Sequence, residues 1–245
     1  MDSSLYLQMR ELEDCHWWFV GRRAIVASQL ESSALPTDSN ILDLGCGTGG
    51  NLEMLTQFGK VVGVELDEQA AQLARERGVA AVIRGKLPDG LPLAEGIFQC
   101  VTLLDVLEHI ADDRATLETV NALLGPDGRV LITVPAFPFL WGPHDEAHHH
   151  QRRYRAKQLR DLLETSGFEI TTLSYCNTWL FPVAALVRLL RKCFPKGDAG
   201  SELALPPAPL NTLLAKLFAS ERYLLRHMNL PFGISLLAVA KKRLQ

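Results

Sequence analysis

The sequence contains few cysteines, and none are paired in a recognisable motif. The chain has 245 residues and five cysteines. No two of them show the CxxC spacing of a thiol redox or zinc site. An odd number of scattered cysteines favours a reducing compartment over a disulfide framework, so we expect a cytoplasmic protein. The five are Cys15, Cys46, Cys100, Cys176 and Cys193.

Long apolar runs and a strong charge bias are also missing. No apolar run reaches the roughly 18 residues that a membrane span needs. The longest, TWLFPVAALVRLL at 178–190, is short and contains an arginine. The first residues, MDSSLYLQMRELEDCHWWF, are polar and acidic, which argues against a secretory signal. The formal net charge is −3, so we expect no nucleic-acid partner.

The chain instead shows an alternation of short apolar strands and amphipathic helices. This alternation predicts an α/β fold with a parallel sheet and helices on both faces. Residues 1–37 predict helix with a break near Gly21, and 38–175 hold the alternating core. Residues 176–232 interrupt the alternation with a helical insertion, and 233–245 predict a final strand of the core sheet.

A glycine-rich loop, ILDLGCGTGG at 41–50, follows the first predicted strand. It formally contains GxGxxG, a dinucleotide-binding pattern, so an NAD-dependent oxidoreductase is one alternative. Asp43 lies two residues before the first glycine. A carboxylate there suits a cationic ligand better than a pyrophosphate.

Three segments carry a resemblance to a known family. DLGCGTG resembles motif I of the class I S-adenosylmethionine (SAM)-dependent methyltransferases, and VVGVELD at 61–67 resembles their second strand. LLDVLEHI at 103–110 resembles the segment after the fourth strand in methyltransferase-11/12-like members. The resemblance covers roughly residues 38–175 and the final strand. It implies a Rossmann-like sheet of seven strands with the last strand inserted antiparallel, an N-terminal helical lid, SAM as cofactor and S-adenosylhomocysteine as product.

The resemblance also implies positions for the cofactor. The methionine part of SAM would lie against Asp43, Gly45 and Gly47, and Glu65 would bind the ribose hydroxyls. Lys86 stands near the place where the family usually has an acid for the adenine. Asp105 would close the methionine end, although it could also cap a helix. The expected cofactor-binding residues are Asp43, Gly45, Cys46, Gly47, Glu65, Leu66, Lys86, Leu87, Asp105 and Val106.

The segment HDEAHHHQRRY at 144–154 holds four of the seven histidines. It follows the fifth strand, and ligands of such sheets bind at the carboxyl edge. We expect His144 or His148 to act as a general base, because histidine titrates near neutrality, and Asp145 to orient it or hold substrate. Alternatives are a plain polar loop, or a metal site with Glu108 and His109. No HExxH or CxxC spacing supports zinc, so no metal ligands are predicted.

Two segments point to acceptor contacts. HWWFVGRR at 16–23 and the histidine segment both resemble motifs, HWWFxGRR and HDxxHxHxRRY, of a bacterial methyltransferase subfamily. The aromatic residues would close the pocket or pack the helix, and the arginines would meet an anionic group of the acceptor. Arg153 and Tyr154 could instead pin the loop to the next helix. The expected substrate-binding residues are Trp17, Trp18, Arg22, Arg23, Arg152, Arg153 and Tyr154.

Together these features predict a SAM-dependent methyltransferase. We expect O-methylation of a glycan, lipid-linked or specialised small-molecule acceptor by in-line transfer with a histidine base. A SAM-binding regulator without turnover is a further alternative. The apolar and basic stretch 178–194 predicts a core helix, a homodimer face, or a helix resting on anionic lipid.

Overall fold

The computed structural model describes residues 3–193 and 204–243. Its centre is a seven-stranded sheet in the order β3-β2-β1-β4-β5-β7-β6. Neighbours from β3 to β5 are parallel, whereas β7 is antiparallel to both β5 and β6. The predicted fold class is confirmed. The strands are β1 Asn40–Leu44, β2 Lys60–Glu65, β3 Ala81–Arg84, β4 Phe98–Leu104, β5 Leu124–Pro135, β6 Phe168–Cys176 and β7 Ser235–Lys242.

Helices cover both faces of this sheet. Side chains alternate between the faces along each strand, so Ile41 belongs to one apolar cluster and Leu42 to the other. Leu236 and Leu237 divide in the same way. The helices are α1 Ser3–Leu12, α2 Trp17–Ser32, α3 Leu52–Thr56, α4 Glu68–Arg75, α5 Asp113–Leu123, α6 Pro143–Ala147, α7 Ala156–Thr165, α8 Phe181–Cys193 and α9 Ala208–Leu225.

The break between the first two helices lies at a different position in the chain from the one predicted. The break lies between Leu12 and Trp17, and α2 continues through Gly21. The predicted break near Gly21 is therefore wrong. A Cβ atom at Gly21 would lie 2.5 Å from Cδ1 of Phe218 in α9. The glycine permits the close approach of two helices rather than ending one.

The helical insertion between β6 and β7 contains α8 and α9. The buried carboxylate of Glu221 in α9 accepts hydrogen bonds from the backbone N–H groups of Asn177, Thr178 and Trp179, at 2.7, 2.6 and 3.0 Å. These bonds fix α9 to the end of β6. The four-unit division of the chain remains a prediction.

Helix α8 exposes several apolar side chains of the insertion. Val183 and Leu186 are 64% and 57% exposed. The side chains of residues 189–193, and residue 194, lie outside the described part. The predictions for the stretch 178–194 can therefore be compared with the structure only over residues 178–188. Among the described helices, none combines the length and the apolarity needed to cross a bilayer.

Candidate functional site

A cavity of about 1090 Å³ lies at the carboxyl ends of the parallel strands. The glycine loop, the ends of β2 and β4, the histidine segment, α1, α2 and α8 all contribute to its wall. Fifteen of the predicted site residues line it: Trp17, Trp18, Arg22, Gly45, Cys46, Gly47, Glu65, Leu66, Lys86, Leu87, Asp105, Val106, His144, His148 and Arg153. The other five, Asp43, Arg23, Asp145, Arg152 and Tyr154, lie behind or beside the wall.

The glycine loop is held by the strand beside it. The backbone N–H groups of Gly45 and Cys46 donate to the carbonyl oxygen of Val64, at 2.8 and 3.0 Å. Gly47 has φ of +56° and donates its N–H to Glu65 Oε2 at 2.9 Å. A Cβ atom at Gly47 would meet nothing within 4 Å. The loop therefore presents bare backbone to open space in the cavity, where a ligand can approach closely.

Asp43 lies directly behind this loop. Its side chain is buried, and Thr102 Oγ1 donates to Asp43 Oδ1 at 2.6 Å. Burial raises the pKa of Asp43 to about 6, although the Thr102 hydrogen bond and the Arg22 charge act in the opposite direction. Its second oxygen has no hydrogen-bond partner in the described parts of the chain. Asp43 can therefore act on a ligand through its charge without forming the cavity wall.

Asp105 closes the end of β4 and is paired with Arg22 of α2. Its φ is +59°, and its carboxylate also accepts a hydrogen bond from Thr133 Oγ1 at 3.2 Å. The alternative role as a helix cap is wrong, since the short 3-10 helix that follows has Val106 at its N-cap. The Arg22 guanidinium also lies 4.6 Å from the ring centroid of Trp18. Arg22 is therefore engaged by the protein itself.

Glu13 is a site residue that the sequence reasoning missed. It lines the cavity and accepts a hydrogen bond from Thr48 Oγ1 at 2.6 Å. Arg77 forms an ion pair with the same carboxylate. Arg23, predicted to bind substrate, instead donates to the backbone carbonyl of Glu13 at 2.6 Å. No local spacing marks Glu13, because its partners are 35 and 64 residues away.

Four histidine rings gather at the other end of the cavity. His144 and His148 lie one turn apart at α6, with ring centroids 4.2 Å apart. His109, from the 3-10 helix Leu107–His109, lies 4.7 Å from His150. Burial and the neighbouring rings lower the pKa of His144 to about 3 and those of His148 and His109 to about 4. These three rings are therefore neutral at pH 7.

Asp145 orients His150, and not the two histidines predicted as the base. Its buried carboxylate oxygen Oδ1 lies 2.9 Å from His150 Nδ1 and accepts a hydrogen bond from Arg153 Nε at 2.7 Å. Burial alone would raise the pKa of Asp145, but these hydrogen bonds outweigh it and hold the pKa below its usual range. The carboxylate is therefore a fixed anion behind the cavity wall.

The remaining predicted substrate contacts pin the histidine segment to the core. Arg152 forms an ion pair with Asp113 at 2.6 Å, and the Tyr154 hydroxyl donates to the same carboxylate at 2.9 Å. Neither residue lines the cavity. For Tyr154 the structure favours the pinning alternative over contact with an acceptor, and Arg152 is held at the same carboxylate by an ion pair that the sequence did not predict.

Glu108 is the most unusual acid of the site. It is fully buried, and neither of its carboxylate oxygens has a hydrogen-bond partner among the residues that the structure describes. Burial raises its pKa well above the usual value, and the Asp105 charge adds to the effect. It lines the cavity beside His109 and His150.

Comparison with known proteins identifies the class of this domain. The family model described as "Methyltransferase domain" matches residues 21–173, which is more than half of the chain. The chain therefore belongs to this methyltransferase family. The predicted resemblance to class I SAM-dependent methyltransferases, and SAM as the cofactor of that class, are confirmed at the level of the family.

Two curated relatives are similar to this chain over more than half of its length. A protein of Mycolicibacterium smegmatis named as a SAM-dependent methyltransferase is 29% identical over 163 residues, which cover 65% of this chain and 62% of the relative. A ubiquinone biosynthesis O-methyltransferase of Rhizobium johnstonii is 29% identical over 159 residues, covering 57% of this chain and 64% of the relative. The chain thus matches less than two thirds of the length of each.

A solved structure supports the fold at low sequence identity. It is a complex between the Haloferax volcanii Trm112 methyltransferase activator and a methyltransferase. The matching chain has a TM-score of 0.63 and 18% identity, and the alignment covers 99% of this chain and 96% of that one. At this identity the likeness concerns the fold alone.

Proposed function

We propose that this protein transfers the methyl group of SAM to a hydroxyl oxygen of an acceptor bound against the histidine cluster. The observation that carries the proposal is the single cavity that joins the glycine loop to these histidines. Methyl transfer is an in-line displacement, so cofactor and acceptor must share one enclosed space. The family of the chain supports SAM as the methyl donor.

The cofactor is proposed to lie along the glycine loop. The space over Gly47 accommodates the methionine part. The Asp43 carboxylate behind the loop and the Asp105 carboxylate, which also pairs with Arg22, would attract its cationic sulfonium and ammonium. The ribose hydroxyls meet Glu65, and the adenine lies near Leu66 and the segment 86–87. This arrangement directs the sulfonium methyl toward the histidine end of the cavity.

A histidine is proposed to remove the acceptor proton. His144 and His148 line the cavity, and burial lowers their pKa values below the near-neutral range expected from the sequence. Both are therefore neutral at pH 7, and each is a weaker base than a free imidazole. A neutral imidazole can accept the proton as the acceptor oxygen attacks the methyl carbon. The C–S bond breaks as the C–O bond forms, and its electron pair remains on sulfur as S-adenosylhomocysteine.

The acceptor is proposed to combine a hydroxyl with an apolar part. Leu180, just before α8, and Val183 and Val187 of α8 contribute apolar side chains to the cavity wall. Such a wall suits a specialised small molecule or a lipid-linked glycan better than a free sugar. The name of the Rhizobium relative, an O-methyltransferase, is consistent with oxygen as the methylated atom.

The test is incubation of the protein with methyl-labelled SAM and a cell extract, followed by partition between organic and aqueous phases. Label in the organic phase supports an acceptor with a lipid or aromatic part, and label in the aqueous phase supports a soluble glycan or metabolite. The Gly47→Arg variant serves as the background control. SAM binding without any transferred label would contradict the proposal and favour a regulator without turnover. Binding of NAD in place of SAM would favour an oxidoreductase.

A further inference from the structure

Three side chains at the histidine end of the cavity have the arrangement of metal ligands. Glu108, His109 and His150 each offer one donor atom, and these atoms all lie within 4.8 Å of one another. Bonds of about 2.0–2.2 Å in a tetrahedral site would place the donors about 3.4 Å from one another. Side-chain rotations that bring the donor atoms closer by up to about 1.4 Å would therefore place all three on one ion.

The burial of Glu108 is an independent indication of a ligand. Its carboxylate is fully buried and lines the cavity, yet within the described ranges neither oxygen accepts a hydrogen bond from another residue. A buried carboxylate without a partner is costly, and such groups in proteins are usually paired or coordinate metals. A cation bound at this point would provide the missing partner.

His150 is held in the orientation and tautomer that a metal ligand needs. The Asp145 carboxylate lies 2.9 Å from His150 Nδ1, and a carboxylate can only accept, so Nδ1 must carry the proton. The lone pair is then on Nε2. Asp145 is itself held by Arg153 Nε at 2.7 Å and by the backbone N–H of Gly142 at 2.8 Å. This carboxylate–histidine arrangement is typical of metal sites, where it fixes the ring and increases its basicity.

We propose that Glu108, His109 and His150 bind one divalent transition-metal ion, which coordinates the oxygen atom to be methylated. Two imidazoles and one carboxylate favour Zn²⁺, Fe²⁺ or Co²⁺ over Mg²⁺ and Ca²⁺, which prefer oxygen ligands. Three protein ligands leave coordination positions open for the acceptor. The site departs from the sequence prediction of no metal ligands.

The role assigned to the ion rests on the proposed function, whereas its binding does not. Coordination lowers the pKa of a bound hydroxyl, as it does for bound water. The proton passes to His144 or His148, and the bound oxygen then attacks the methyl carbon as the bond to sulfur breaks. His144 and His148 have ring centroids 5.8 and 6.0 Å from that of His150. The base would thus lie beside the coordinated oxygen.

The test measures metal binding to the full chain after chelation and removal of the chelator. Co²⁺ is the probe, because its visible absorption reports nitrogen ligands, and Mg²⁺ is the comparison ion. We expect one Co²⁺ per chain, bound about 100-fold more tightly than Mg²⁺ and displaced by Zn²⁺. Glu108→Gln and His150→Gln should each weaken Co²⁺ binding at least tenfold and change the spectrum.

Two further variants separate a metal site from adventitious binding to histidines. Asp145→Asn removes no ligand, yet it should weaken Co²⁺ binding about 10–100-fold, as changes in the partners of metal ligands do. His227→Gln, at an exposed histidine away from the cavity, should bind Co²⁺ as the natural chain does. Thermal unfolding checks that each variant is folded, and His109→Gln replaces any that is not.

The outcomes for the metal and for methyl transfer can be told apart. Co²⁺ affinity that is equal in the natural chain and in a Glu108→Gln/His109→Gln double variant would overturn the site. Full methyl transfer by metal-free protein would overturn the role of the ion. Tight Co²⁺ binding at these residues without methyl transfer would support the site and count against the proposed function.

Discussion

The guanidinium of Arg22 and the carboxylate of Asp105 form an ion pair that joins α2 to the end of β4. Their side chains are only 10% and 19% exposed, and the two residues are 83 positions apart in the chain. Both residues line the cavity that the glycine loop and the histidine cluster also line. The pair couples the position of the N-terminal helix to the geometry of the site.

Removal of this pair should destabilise the fold. We expect Arg22→Met to lower the free energy of unfolding by about 3 kcal/mol, because a mostly buried carboxylate loses its partner. Urea denaturation measures the change. The control is Arg226→Met, which breaks a pair with Glu31 whose side chains are 39% and 56% exposed, and it should cost less than about 1 kcal/mol. Equal losses in the two variants would contradict the structural importance of the Arg22 pair.

The space over Gly47 provides a test of the cofactor site. We expect Gly47→Arg to weaken SAM binding about 100-fold or more, equivalent to about 2.7 kcal/mol, because the side chain would fill the space assigned to the cofactor. Isothermal titration calorimetry measures the affinity.

Gly78→Arg is a matched control for Gly47→Arg. Gly78 also has a positive φ and no atom within 4 Å of a built Cβ, but it does not line the cavity. Both variants therefore introduce similar backbone strain, and only one should lose SAM. Normal SAM affinity in Gly47→Arg would refute the assignment of the glycine loop.

Variants of the proposed general base should lose methyl transfer without losing SAM binding. His144→Ala and His148→Ala are expected to retain SAM affinity, and at least one should lose about 10²–10⁴-fold in turnover. His227→Ala, at an exposed position remote from the cavity, should lose neither. Methyl-transfer rates at saturating SAM make the comparison. If both cavity variants turn over normally, neither histidine is the base.

The raised pKa of Asp43 predicts a pH dependence of SAM binding. In the free protein this group titrates at about 6, and a cationic ligand favours its ionised form. Binding therefore releases a proton below pH 6, and SAM affinity should rise as the pH increases toward 6 and then level off, by up to about tenfold per pH unit. Calorimetric titrations between pH 5 and 8 test this. The rise should disappear in Asp43→Asn, and a flat profile in the natural chain would contradict the prediction.

Without cofactor, the same pKa shift has a consequence for stability. The folded-state pKa of Asp43 lies above its usual value of 3.8. Its contribution to stability is therefore present below pH 3.8 and is lost as the pH rises through about 6. Asn at this position cannot ionise. The stability of Asp43→Asn should therefore increase relative to that of the natural chain as the pH rises from about 4 to 7, as measured by thermal unfolding of the two cofactor-free proteins.

Much of the fold could be predicted because its signals are local. The strand that carries Asp43 and the glycines after it follow from short segments, whereas the antiparallel direction of the last strand was implied by the family resemblance. Within the site, the segments 43–47, 65–66 and 103–106 were marked by motifs, and most of their residues line the cavity. The predicted helix break at Gly21 was wrong because the glycine is needed for packing: it leaves room for the side chain of Phe218 from α9.

The sequence by itself determined the alternation of strands and helices and the glycine loop, and its resemblance to a known family implied the class of cofactor. The alternation and the loop depend on periodicity and on backbone freedom within a few residues. Only the tertiary structure decided what each polar side chain does. In the folded protein, Arg22 forms an ion pair with Asp105, Asp145 forms a hydrogen bond with His150, and Glu108 is buried beside two histidines. Such pairings depend on distances between segments far apart in the chain, and they decide which charges are satisfied by the protein and which are left for a ligand.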